Sequence, residues 1–237
     1  MIQSKFFGSV LPLIVACLAS TAGASESGDF QGIQAKAIAG DAAAQYALAV
    51  AYDIGRGVKA DITEAAKWYE AAAQQGNSDA QNSIGSLYLS GEGVPKNPPR
   101  ACEWFGKSAA QKNMDGTANF ASCYDAGVGV DKDLAKAAAL YEESANAGNI
   151  QSMLNIGVDY WRGEGVDKDL VKGYVWLDLA RFYTQAGDAN RRLKYRVRGA
   201  LDEIAKEMPP NAIAQAQALS QQWDKDNRAK IHAAPKY

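Results

Sequence analysis

Residues 52–61 read YDIGRGVKAD, and this pattern of a tyrosine followed by two spaced glycines returns at a fixed interval. GRGV begins at Gly55, GEGV at Gly91, GVGV at Gly127 and GEGV at Gly163, so each copy follows the last by 36 residues. A period of this length is typical of stacked structural repeats. A single phosphate-binding loop would need a preceding strand and a Lys-Ser/Thr pair after the glycines, and neither is present.

Apolar residues within each copy follow the period of an α-helix. In the first copy Ala44, Leu48 and Tyr52 lie four residues apart on one face, and a second such stripe runs from Ala65 to Ala72. Each copy is therefore predicted to be a helical hairpin. The predicted first helices are 41–54, 77–90, 113–126 and 149–162, and the predicted second helices are 62–75, 98–111, 134–147 and 170–186.

Capping residues and glycines are expected to delimit these helices. Side-chain oxygens can accept the orphan N–H groups of a first helical turn. Gly76 and Gly148 are expected to form turns between hairpins, with Asn113 near the equivalent place in the third copy. The predicted N-caps of the second helices are Asp61, Asn97, Asp133 and Asp169.

A hairpin of this size cannot bury its own apolar face, so the copies must stack. The predicted fold class is all-α: a right-handed superhelical solenoid of four 36-residue helical hairpins, with a concave and a convex side. A solenoid needs its last apolar face covered, and residues 190–206 and 211–226 are predicted to form a C-terminal cap of two helices. The predicted divisions are an N-terminal cap at 25–39, repeats at 40–75, 76–111, 112–147 and 148–186, the C-terminal cap at 187–227 and a tail at 228–237.

The N-terminus has the pattern of an export signal. Lys5 is followed by an apolar stretch from Phe6 to Leu18 and by a small-residue cleavage site ending at Ala24, so residues 1–24 are predicted to be removed. The apolar stretch is too short to span a membrane as a helix. Alternatively, Ile14-Val15-Ala16-Cys17 resembles the lipobox of bacterial lipoproteins, with 1–16 as the signal and Cys17 as the lipidated residue. The expected location is the periplasm, with a membrane-anchored lipoprotein or a secreted protein as alternatives.

Composition limits the classes of partner. The chain has 25 basic and 27 acidic residues and a formal net charge of −2, which gives no general attraction to nucleic acid. Helix 190–206 contains a local basic cluster, which is predicted to be a solvated helix face, with an anionic docking patch as the alternative. The cluster comprises Arg191, Arg192, Lys194, Arg196 and Arg198.

The unit GDAAAQYALAVAYDIGRGVKADITEAAKWYEAAAQQG, residues 40–76, resembles the SEL-like repeat, a relative of the tetratricopeptide repeat. The glycine pair, the tyrosine before it and the Ala-x-x-Trp-Tyr run recur in phase through residues 40 to about 186. The resemblance implies a non-enzymatic scaffold that binds a protein or peptide through its concave surface.

The residues give no basis for an enzymatic site, a metal site or a cofactor. The only histidine is His232, close to the C-terminus, which removes histidine-based triads and metal sites from the folded body. Some cysteine-rich members of the repeat family are described as β-lactamases or penicillin-binding proteins, and this activity is the alternative function. Those members have a cysteine pair in nearly every repeat, whereas this chain has one pair outside the signal segment.

That pair is Cys102 and Cys123. The two residues are expected to lie at one level of adjacent antiparallel helices, so either a disulfide or two buried free thiols is expected.

The predicted partner-binding residues follow from the helical pattern. Because the columns of Ala44, Leu48 and Tyr52 are buried, the concave face of the first helices falls on the intervening positions. Small polar side chains at these positions would suit the backbone donors and acceptors of an extended peptide. The candidates are Asp79, Ser83, Ser86, Asp115, Asn119, Ser122, Gln151, Asn155 and Arg162, with Asn119 and Asn155 as the strongest pair.

Overall fold

The computed structural model describes residues 25–185 and 191–233 of the chain. These residues form eleven helices and no strand, which confirms the predicted all-α fold class. The signal segment, the alternative lipidation site Cys17 and the end of the tail lie outside the described residues. In chain order the helices are α1 Ser25–Ile38, α2 Ala42–Ile54, α3 Ile62–Gln74, α4 Ser78–Ser90, α5 Pro98–Ala110, α6 Met114–Ala126, α7 Leu134–Asn146, α8 Ile150–Arg162, α9 Leu170–Gln185, α10 Arg191–Lys206 and α11 Pro210–Ala233.

The chain divides into two compact units. Unit 1 contains the residues up to Phe120 together with Val128–Val130, and unit 2 contains Ala121–Gly127 and the residues from Asp131 onward. Helices α1 to α5 and the first half of α6 therefore belong to unit 1. The second half of α6 and helices α7 to α11 belong to unit 2.

The helices of the four hairpins begin and end within one residue of their predicted bounds. The predicted N-caps explain the starts of the second helices. The Oδ1 atom of Asp61 accepts hydrogen bonds from the backbone N–H groups of Thr63 and Glu64, at 3.0 and 3.1 Å. The side chains that cap α5, α7 and α9 in the same way are Asn97, Asp133 and Asp169.

The turns between hairpins correct one detail of the sequence analysis. Lys112, rather than Asn113, has the left-handed φ of 61° at the position where Gly76 and Gly148 have φ of 90° and 102°. Asn113 instead caps α6, because its Oδ1 atom accepts a hydrogen bond from the N–H of Gly116 at 2.9 Å. The other first helices have side-chain caps at the same repeat position: Asp41, Asn77 and Asn149.

The two glycines of each loop have different structural roles. The first glycine ends a first helix in the left-handed conformation, as Gly55 does with φ of 74°. In the loops after the first, the second glycine lies against the start of the preceding second helix. A Cβ atom on Gly93 would lie 2.5 Å from the carbonyl oxygen of Ile62, and one on Gly129 would lie 2.5 Å from that of Pro98. Glycine is therefore needed where consecutive hairpins of unit 1 meet.

An N-terminal helix covers the first hairpin of unit 1. Helix α1 packs on α2, and Ala37, Ala44 and Leu48 form a buried cluster between them. The ring of Phe30 meets that of Tyr52 edge-to-face with centroids 5.9 Å apart. These contacts remove apolar surface of α2 from water and so stabilise the start of the repeat array.

The last hairpin of unit 2 is covered by the two C-terminal helices. Both α10 and α11 pack on α9, and Ile156, Leu177 and Ile204 are fully buried in the shared core. The indole rings of Trp176 and Trp223 meet edge-to-face with centroids 5.5 Å apart. These contacts show how the last repeat buries its apolar face.

Polar contacts between α9 and α11 supplement this core. Tyr183 donates a hydrogen bond to Asp224 at 2.6 Å, and the buried Ser220 donates one to Asp178 at 2.5 Å. Tyr183 belongs to the extra turn that makes α9 longer than the other second helices, at 16 residues against 13. The longer helix thus supplies part of the surface on which α11 packs.

Candidate functional site

Polar side chains of the first helices in unit 1 form several hydrogen-bonded contacts on a surface here called the unit 1 face. Asn119 donates to the Oδ1 atom of Asn82 at 2.8 Å, and Asn113 donates to Asp79 at 2.6 Å. Ser86, half-buried, donates to the backbone carbonyl of Asn82 at 3.1 Å. These contacts join the second and third hairpins through amide and carboxylate groups. The residues of the unit 1 face are Asp79, Asn82, Ser83, Ser86, Asp115 and Asn119.

A buried tyrosine supports this face from the second helix of the first hairpin. The hydroxyl of Tyr69 donates to Asp53 at 3.1 Å and accepts a hydrogen bond from Ser83. Burial, followed by the nearby Asp53 carboxylate, raises the pKa of Tyr69 well above its usual value. The phenol is therefore neutral and fixes the position of Ser83.

Unit 2 contains a second hydrogen-bonded surface, here called the unit 2 face. The hydroxyls of Ser122 and Tyr141 lie 3.0 Å apart, and Asn155 also hydrogen-bonds the phenol of Tyr141. Gln151 donates to the Oδ1 atom of Asn155 at 2.9 Å, and Arg196 donates to the Oε1 atom of Gln151 at 3.2 Å. The unit 2 face is thus a chain of five linked polar side chains contributed by α6, α7, α8 and α10.

The electrostatics of the unit 2 face favour a neutral phenol at its buried end. Burial is the largest cause that raises the pKa of Tyr141 above its usual range, and the carboxylates of Asp125 and Asp159 raise it further. Both aspartates are buried. Arg196, a residue that is exposed as a whole, lies at the opposite end of the chain. Arg196 donates to Gln151 and Gln151 donates to Asn155, so the donors in this part of the chain point away from the cation, an arrangement in which linked hydrogen bonds strengthen one another.

Two predicted binding residues differ from the others in their surroundings. Asp115 is exposed near the start of α6, at the edge of the unit 1 face. Arg162 lies at the end of α8, where its guanidinium is 3.6 Å from Glu164 and stacks on the ring of Trp161. The structure therefore places Arg162 away from the hydrogen-bonded chain of the unit 2 face.

The sequence analysis missed the tyrosines beneath both faces. Tyr69 and Tyr141 are 72 residues apart, and each has an aspartate 16 residues earlier, at Asp53 and Asp125. In the second and fourth hairpins the tyrosine column contains Phe105 and Leu177, and the aspartate column is apolar as well. This alternation between consecutive repeats was a signal that the tyrosines have a polar role.

The remaining predicted residues have the following positions. Cys102 and Cys123 are both buried, with 1% and 0% of their surface exposed, and the disulfide between them stays a prediction. Over the described ranges, no three His, Cys, Asp or Glu side chains are grouped so that they could hold a metal ion. None of the described helices has the length and apolarity needed to cross a membrane.

Comparison with protein-family models decides the classification. The model of the Sel1 repeat matches residues 42–77, 78–113, 116–149 and 150–181, together more than half of the chain. The chain belongs to the Sel1 repeat family. Sel1 repeat proteins generally mediate protein–protein interactions and bind proteins as non-catalytic scaffolds. The search of curated proteins found no match to this Sel1 repeat chain.

Solved structures of bacterial Sel1 repeat proteins have a similar fold. The Sel1 repeat protein of Oxalobacter formigenes has a TM-score of 0.63 and 25% identity, over 75% of this chain and 76% of the other. The protein c5321, a protective antigen present in uropathogenic Escherichia coli strains, displays an SLR fold. It has a TM-score of 0.50 and 22% identity, over 90% of this chain and 60% of its own length. These similarities support the repeat architecture.

Proposed function

We propose that this Sel1 repeat chain is a non-enzymatic scaffold of the bacterial cell envelope that binds a partner protein through the unit 1 face and the unit 2 face. The observation that carries the proposal is the placement of amide side chains on the first helices. Asn82 and Asn119 are linked in unit 1, and Gln151 and Asn155 are linked in unit 2. The general role of the family in protein–protein interaction supports the same conclusion.

The chemistry of these side chains suits a peptide backbone. An amide side chain has two N–H donors and a carbonyl with two lone pairs, so it can satisfy both polar groups of a peptide unit. The contact between Asn82 and Asn119 and the separate contact between Gln151 and Asn155 hold these amides in fixed orientations. A fixed amide loses less conformational entropy on binding than a freely rotating one, which favours recognition by these residues.

The N-terminal sequence supports export. Lys5, the apolar stretch and the small residues before Ser25 have the order of a secretory signal. Mass spectrometry of the chain purified from its source bacterium distinguishes the two proposed processing routes. Cleavage after Ala24 gives a mature chain that begins at Ser25, whereas lipid modification gives an N-terminus at Cys17 with added acyl mass. A full-length chain beginning at Met1 would contradict export.

The experiment that tests the proposed function compares two double variants. A partner is first captured from envelope extract with the mature chain and then purified, and its affinity is measured. Asn119→Ala with Asn155→Ala removes one amide from each face and is expected to weaken binding at least about tenfold, since two hydrogen-bonding groups are lost. The matched control is Gln74→Ala with Asn146→Ala, which removes two exposed amides from second helices and should leave the affinity unchanged.

A further variant separates binding from folding. Asn155 is buried, so its loss is expected to lower stability as well, and circular dichroism with urea unfolding must show a folded double variant. Asp115→Arg places a large cation at the exposed edge of the unit 1 face without removing a buried group. Weaker binding by this variant with unchanged stability supports the proposal. Unchanged affinity in both the Asp115→Arg variant and the folded double variant contradicts it.

A further inference from the structure

Helix α10 carries an unusual concentration of positive charge at its start. Five of its first eight residues are Arg or Lys, and its first acidic residue is Asp202. The N-terminus of a helix carries a partial positive charge, so cations in the first turn destabilise the helix. Helix stability therefore does not account for Arg191 and Arg192 at this position.

Two of these cations share one side of the helix. Arg192 and Arg196 are one turn apart, a spacing at which like charges repel. Desolvation, followed by the charge of Arg192, lowers the pKa of Arg196. Among the residues that the structure describes, neither of the two arginines forms an ion pair, whereas Arg198 lies 4.0 Å from Asp202. The pair thus presents two mutually repelling positive charges, a state that an anion would stabilise.

The structure joins one member of this pair, Arg196, to the unit 2 face. Arg196 donates from Nη1 to Gln151, which in turn donates to Asn155. A guanidinium has five N–H donors in a planar fork, and a carboxylate can accept two of them in parallel. The preceding residue in the sequence, Tyr195, has 71% of its surface exposed. Arg196 therefore lies directly beside the amides proposed to contact a peptide backbone, and Arg192 lies one helical turn before it.

We propose that Arg192 and Arg196 bind an Asp or Glu side chain of the peptide segment that occupies the unit 2 face. The inference rests on the proposed function and adds the chemistry of the partner, an acidic segment. Charge complementarity selects the carboxylate, and Gln151 and Asn155 supply donors and acceptors for the adjoining backbone. A protein segment is favoured over an anionic membrane because the chain as a whole has a formal net charge of −2 and these cations are confined to one helix.

The test measures binding of two labelled octapeptides by fluorescence polarisation. One peptide alternates serine with glutamate, and the other alternates serine with glutamine. The glutamate peptide is expected to bind the wild-type chain more tightly, and added salt should weaken this binding. Arg192→Gln with Arg196→Gln should weaken it at least about tenfold, since charge-assisted bidentate hydrogen bonds are lost. The matched control, Arg198→Gln with Lys206→Gln, removes two cations that lie near acidic residues of α10 and should retain the wild-type affinity.

The outcomes separate this inference from the proposed function. Equal affinity for the two peptides overturns the inference, and so does an unchanged affinity in the Arg192 and Arg196 variant. If Asn155→Ala still weakens binding in either case, the proposed function stands. Weakening by the arginine variant without any effect of a folded Asn155→Ala variant places the anion outside the unit 2 face and also overturns it. Tighter binding to vesicles containing phosphatidylglycerol than to the glutamate peptide would identify a membrane contact and overturn it as well.

Discussion

The close approach of loop glycines to the preceding hairpin leads to a quantitative prediction for Gly93. Replacement by alanine has two separate consequences at this position. The backbone has φ of 70°, which an L-residue adopts at a cost of roughly 1–2 kcal/mol. The new Cβ atom would also lie 2.5 Å from the carbonyl oxygen of Ile62 and 2.9 Å from its carbonyl carbon. Overpacking of this kind adds about 1–3 kcal/mol, so Gly93→Ala is expected to lower the free energy of unfolding by roughly 2–5 kcal/mol.

Two other glycines separate these contributions. Gly76 has φ of 90°, but a Cβ atom there would have no neighbour within 4 Å. Gly76→Ala should therefore lower the free energy of unfolding only by the cost of the backbone conformation, about 1–2 kcal/mol. Gly199 lies inside α10 without a left-handed φ, and its Cβ position is also open. Gly199→Ala should therefore stabilise the protein by about 0.5–1 kcal/mol, because alanine restricts the unfolded chain and favours the helix.

The assay is urea unfolding at 25 °C, followed by circular dichroism of the helices. The expected order of stability is Gly199→Ala, wild type, Gly76→Ala and Gly93→Ala. A Gly93→Ala variant no less stable than Gly76→Ala would show that the loop makes no close contact with Ile62. That result would refute the explanation given for the second glycine of the repeats after the first.

Four further predictions concern the buried polar groups, the cysteines and the absence of turnover. Tyr141→Phe should lower the free energy of unfolding by about 1–3 kcal/mol, since it leaves Ser122 and Asn155 without their buried partner. The control, Tyr195→Phe at an exposed site, should have no effect in the same urea assay. Burial, followed by the nearby Glu142 carboxylate, raises the pKa of Tyr160 to about 12. The folded state favours the neutral phenol of Tyr160. The contribution of this phenol to the free energy of unfolding is therefore complete below the unfolded pKa of about 10 and is lost as pH rises through about 12. The difference in absorbance at 295 nm between the wild type and Tyr160→Phe, followed against pH, reports the ionisation of Tyr160, and a Tyr160 pKa near 10 would contradict the burial argument. Thiol titration of the exported chain in denaturant without reductant should find neither Cys102 nor Cys123 reactive, and two reactive thiols would exclude the disulfide. The chain should not hydrolyse nitrocefin, and turnover above background would revive the β-lactamase alternative.

The fold could be predicted from sequence because its determinants are local and repeated. Helix starts follow from side chains such as Asp61, and helix ends follow from glycines such as Gly55. The same pattern occurs in four copies, so the helix assignments in one copy can be checked against those in the other three. The exception is Lys112, since a lysine with positive φ has no strong local signature, and only its alignment with Gly76 and Gly148 indicates the conformation.

The candidate site could be predicted only in part. Helical periodicity identifies the positions of Asn119 and Asn155, because residues on one face recur at known spacings. It does not identify the partner of each side chain. The contact between Arg196 and Gln151 depends on how α10 packs on the last hairpin, which no local pattern specifies. Tyr141 resembled an ordinary core aromatic for the same reason, since its hydroxyl partners come from two other helices.

The most direct test of the proposed binding faces is site-specific photo-crosslinking in the living cell envelope. A photoreactive residue is placed at Ser83 or Ser122 on the first helices and, in parallel chains, at Lys67 or Glu143 on the exposed sides of the second helices. The proposal predicts adducts with a partner protein from Ser83 and Ser122 and none from the other two positions. Adducts formed only from Lys67 or Glu143 would show that the partner binds elsewhere and would contradict it.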